Sequence, residues 1–121
     1  MERQLRSGVG WRLGWDPDAP EFRGLVGGET WAIELTDAEF KDFCQLLNRL
    51  VETMAQMESE LMDEETITCE AASNLLWMEV RGFPSAYTVG LILLSGRRGE
   101  GLWPATVVPE LVQAAQLLQV Y

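Results

Sequence analysis

Histidine is absent from all 121 residues. That removes the commonest general base and the commonest neutral metal ligand, and with them Ser-His, Cys-His and His-ligated zinc sites. Only two cysteines are present, Cys44 and Cys69, too few for a four-sulfur zinc site. Both sit among apolar neighbours, where inert buried thiols are expected in preference to a disulfide. The longest apolar run, residues 89–94, is far too short to cross a membrane as a helix. The first ten residues carry Arg3 and Arg6 but no apolar stretch, so no signal peptide is expected and the expected location is cytoplasmic. Basic residues are scarce. Nine Lys and Arg face nineteen Asp and Glu, a net charge of −10, which counts against nucleic acid because phosphates must be neutralised.

What is present argues for a folded chain. Nearly half the residues, 47%, are hydrophobic, and five are Trp. The length suits one domain over 1–121, with a core that needs no disulfide or metal. The acidity is uneven. Between Asp37 and Glu65 nine acids face two bases, Lys41 and Arg49, whereas the rest of the chain is nearly balanced.

Residues 10–16 alternate so that Trp11, Leu13 and Trp15 share one strand face. Further strands are expected over 22–26 and 30–35, joined by close turns into an antiparallel meander. Thr36 and Glu39 then form a capping box, with Leu35 and Phe40 placed as a hydrophobic staple. The apolar stripe that follows runs through Phe40, Phe43, Leu47, Leu50, Val51, Met54 and Leu61, so a helix is expected over 37–62. Three strands are expected over 66–72, 75–81 and 87–94, the last apolar on both faces and hence mid-sheet and covered. A short edge strand over 102–106 and a helix from Pro109 close the chain. The fold class is therefore α+β, with antiparallel sheets and two helices in the order βββ-α-βββ(β)-α. A weak self-similarity runs through this order. Glu39 aligns with Glu110, Gln45 with Gln116, Leu46-Leu47 with Leu117-Leu118 and, after a one-residue slip, Trp31 with Trp103. A strands-helix unit used twice, over 10–62 and 66–121, accounts for it.

The opening GWRLGWDPDAPEFRGLVGGETWAIELT, the long helix after it and the Gly82-Phe83-Pro84-Ser85-Ala86-Tyr87 hairpin resemble a family of small uncharacterised cyanobacterial proteins. The resemblance covers nearly the whole chain. It implies the fold of the single-stranded-DNA-binding transcriptional regulators, which include the Whirly proteins, and it implies no mechanism.

Candidate functional residues fall into two groups. Trp77 and Arg81 share a strand face, and an aromatic beside a guanidinium is what stacks and neutralises single-stranded nucleic acid; the plainer reading puts Trp77 in the core. Arg97 and Arg98, between glycines, offer guanidinium forks to an anion or an acidic partner, or simply tip a solvated loop. The second group, Met54, Met57, Leu61 and Met62, lies at the far end of the long helix, where adaptable Met side chains suit a partner or a second copy as well as a core. The acids Glu58, Glu60, Asp63, Glu64 and Glu65 lack EF-hand spacing, and no metal or cofactor is expected. The leading expectation is a non-enzymatic protein-interaction or regulatory module that uses helix 37–62 and a sheet edge, with self-association included. Weak single-stranded nucleic-acid binding is the alternative and a carboxylate enzyme the distant one.

Overall fold

A computed structural model describes residues 2–60 and 65–118. Strands β1 (Gln4–Gly8), β2 (Trp11–Trp15), β3 (Gly24–Gly28) and β4 (Ala32–Leu35) form one antiparallel sheet in chain order. Helix α1 (Asp37–Glu58) follows. Strands β5 (Ile67–Ala72), β6 (Leu76–Phe83), β7 (Ala86–Leu93) and β8 (Glu100–Trp103) then form a second sheet, again in chain order, and helix α2 (Val108–Leu117) completes the repeat. The chain is thus four strands and a helix, twice. The expected order holds with one strand more in the first half. β1 lies in a stretch with no hydrophobic alternation, and it forms because it pairs with β2 across a turn at Gly10, whose φ of +81° is cheap only for glycine.

Period-two alternation sets the inner faces. Trp11, Leu13 and Trp15 of β2 face inward, opposite Gly28, Val26 and Gly24 of β3. Leu76, Met78 and Val80 of β6 face inward with Leu93, Leu91 and Val89 of β7. β7 is central, but its second face is open: Leu94 just beyond it is 51% exposed. The expectation of cover on both faces is corrected. The two inner faces and both helices bury one cluster that includes Phe40, Phe43, Leu47, Leu111 and Trp103.

The helices bind the halves together. α1 packs against β5 and β6 of the second sheet as well as β3 and β4, and α2 packs on β2 of the first sheet and β7 of the second. α1 ends at Glu58, capped by Ser59, four residues short of the expected end, so it is about 33 Å long at ~1.5 Å per residue. Its stripe is buried within the chain through Met54, except for Val51, which is half-buried. Leu61 lies outside the described residues.

The residues marked by the weak repeat tie one half to the other. Trp103 Nε1 donates to the Gly27 carbonyl at 2.8 Å, and Trp31 Nε1 donates to the Leu102 carbonyl at 3.3 Å. Glu39 and Glu110 each stand third in their helix. Glu39 accepts from Arg97 and Ser95 of the second half, and Glu110 accepts from Trp11 Nε1 of the first at 2.9 Å.

Candidate functional site

The four side chains expected to meet an anion are dispersed. Trp77 and Arg81 do share a face of β6, and it is the outer face, so Trp77 is half-buried against solvent and is not a core residue. Ala72 and Ile92 flank Trp77, while Thr68 and Thr88 flank Arg81. Glu70, Glu79 and Glu100 lie on the same face by register, and Arg81 Nη2 sits 3.4 Å from Glu79 Oε1. Three carboxylates against one guanidinium make this face repel phosphate.

Arg97 is exposed yet tethered at its guanidinium. Its Nη1 donates to the Glu34 carbonyl at 2.8 Å, its Nη2 pairs with Glu39, and its guanidinium carbon stands 4.5 Å from the Phe22 ring centre. Arg97 therefore keeps the exposure of a loop residue while its guanidinium is held by partners within the chain. Glu39 is the one buried charged side chain among the described residues, at 3% exposure. Its carboxylate takes the capping-box N–H of Thr36 at 2.9 Å and the Ser95 hydroxyl at 3.0 Å besides Arg97, so its charge is fully met. Arg98 is exposed, with a left-handed φ of +55°, and lines a shallow recess with Ile92 and Glu100.

At the far end of α1 the candidate interface residues also separate. Met54 is wholly buried and has no surface to offer a partner, while Met57 is half-buried. Leu61 and Met62 lie outside the described residues. What α1 does offer there is one wall of a groove of about 330 Å³. Val51, Ala55 and Glu58 line it from the helix, spaced to share a face. Pro84 to Tyr87 of the β6–β7 hairpin form a second wall, and Ala105, Val108 and Val112 a third. The lining is apolar apart from three groups: the Glu58 carboxylate and the hydroxyls of Ser85 and Tyr87. Burial pushes the Tyr87 phenol up from its usual pKa. Among the described residues Glu58 is the one charged member of the lining, and no Lys or Arg takes part in it. Sequence reasoning missed this groove because three separate segments build it. The pairing of Val51 with Ala55 and Glu58 along α1 was its only local trace.

Cys44 and Cys69 are free thiols. Burial pushes Cys44 from its ordinary 9.0 up to about 11, so it is protonated and unreactive near neutrality.

Two four-stranded sheets, each followed by a helix that packs on the other half, define the class: an α+β module with a strands-helix unit used twice. Residues 6–118 match a domain of unknown function, DUF1818, and the chain belongs to that family. It is similar to a protein of unknown function from Prochlorococcus sp. NATL2A, described as from the DUF155 family. The two share 31% identity over 96% of this chain and 97% of that one, with a TM-score of 0.88. No curated protein matches the chain.

Proposed function

We propose that this chain acts by binding, as a protein-interaction module whose working surface is the groove between α1, the β6–β7 hairpin and α2. One observation carries the reading: an apolar recess of about 330 Å³ whose one charged lining group, among the described residues, is the carboxylate of Glu58. Recesses of this size and lining take a single large apolar group and orient it by a few polar contacts. The partner it suits is a protein segment that presents an apolar side chain flanked by Lys or Arg. Opposite charge steers such a segment in, and the buried side chain anchors it.

Selection of peptides from a random library displayed against the chain tests this. The selected sequences should share an apolar anchor with basic neighbours. They should be lost on Ala55→Trp, which fills the groove from an exposed helix position. A consensus without either feature, or selection unchanged by Ala55→Trp, contradicts the reading.

A second reading places single-stranded nucleic acid on the outer face of the second sheet. It draws on the solvent-facing position of Trp77 and on the resemblance to the single-stranded-DNA-binding regulators, including the Whirly proteins. Glu70, Glu79 and Glu100 on the same face oppose it. Salt-reversible quenching of Trp fluorescence by mixed-sequence single-stranded DNA, lost in Trp77→Leu, would favour this second reading over the first.

A further inference from the structure

The outer face of the first sheet holds a pocket of about 420 Å³, within the range that takes small ligands. Its residues fall into two parallel rows. Asp16 pairs with Arg23 through a backbone hydrogen bond of 2.8 Å, and the β1–β2 register carried one residue further puts Arg3 on the other side of Asp16. The next row on the same face is Leu5, Gly14, Leu25 and Glu34. All seven residues line the pocket.

The charges balance, and they are available. Arg3 and Arg23 face Asp16 and Glu34, and none of the four forms an ion pair with another described residue. Arg23 uses only Nε, which donates to the Ala19 carbonyl at 3.2 Å. Asp16 accepts the Asp18 N–H on Oδ1 at 3.0 Å, which leaves its other oxygen to a ligand. Beside this charged row Leu5 and Leu25 close over Gly14, where a Cβ would stand 3.3 Å from Leu25 and 3.4 Å from Leu5. Together they present an apolar ledge, with Leu5 59% exposed.

We infer that this pocket binds a zwitterion with an apolar side chain, a free α-amino acid of large side chain. The ligand carboxylate lies against the Arg3 and Arg23 guanidiniums, which suit a carboxylate by geometry as well as charge. Its ammonium meets the free oxygen of Asp16, one strand away. The side chain then runs along the strand direction and lies on the apolar ledge of Leu5 and Leu25. A pocket of net zero charge with both signs displayed favours a ligand that carries both signs over a simple anion or cation. The site is independent of the α1 groove and lies on the other sheet.

Three compounds separate the contributions in an amide NMR titration of the full chain: L-phenylalanine, L-phenylalaninamide and N-acetyl-L-phenylalanine. L-phenylalanine should shift the amides of Gly14, Gly24 and Leu25, and each singly charged analogue should bind about tenfold or more weaker, the loss of one charged hydrogen bond. Arg3→Gln should remove the preference over the amide, and Asp16→Asn, which keeps its turn, the preference over the N-acetyl compound. Equal shifts from all three compounds, no shift at these amides, or preferences that survive both substitutions would overturn the inference.

Discussion

At the residue scale, two glutamates in equivalent helix positions make opposite demands on burial. Glu39 is enclosed and meets three donors, whereas Glu110 is exposed and meets one indole N–H. Removing Glu39 as Glu39→Ala leaves Arg97, Ser95 and the Thr36 N–H without their acceptor and should cost about 3 kcal/mol in urea unfolding. Glu110→Ala should cost under about 1 kcal/mol, because water replaces it. Equal costs would mean that the buried carboxylate is not the stronger link. Cys44 sets a pH dependence whose direction follows from its shift. The folded thiol holds its proton up to about 11, while the unfolded one releases it near 9.0. Its contribution is fully present below pH 9 and is lost as pH rises toward 11. Tyr87 is shifted the same way by burial, so Cys44→Val should make the alkaline fall in urea midpoint shallower without abolishing it. An unchanged slope would count against a buried neutral thiol.

At the element scale, close approach at β8 explains its glycine. A Cβ on Gly101 would fall 2.3 Å from the Trp31 ring. Gly101→Ala must therefore displace Trp31 from its packing on Trp103, where the ring centres are 4.9 Å apart, at a cost of roughly 1–3 kcal/mol. A lowered melting temperature with altered Trp emission checks it. The same scale shows what was legible. The α1 start was readable because Thr36, Glu39, Leu35 and Phe40 act within one turn, and local signals survive folding. β1 was not, since QLRSG shows no alternation and owes its form to β2. The outward turn of Trp77 was one of two readings open to the sequence, and alternation favours it, because Leu76, Met78 and Val80 take the inner face and leave Trp77 with Glu79 and Arg81. The partners of Arg97 were not legible for a plainer reason: Glu34, Glu39 and Phe22 are more than fifty residues away.

At the scale of the whole molecule, two four-stranded units share one core, and their outer faces differ in charge. The first sheet presents Arg3, Arg12 and Arg23 with two acids, and the second presents Arg81 with three. Between the units, where α1 and α2 meet the β6–β7 hairpin, lies the groove on which the proposed function rests. The most direct test of that claim is a titration of the isotope-labelled chain with a selected apolar-basic peptide, following every backbone amide. Shifts confined to Val51, Ala55, Ser85, Tyr87 and Val112, and absent in Ala55→Trp, are the expected result. Shifts centred on Trp77 and Ile92, or a footprint that Ala55→Trp leaves intact, would contradict it.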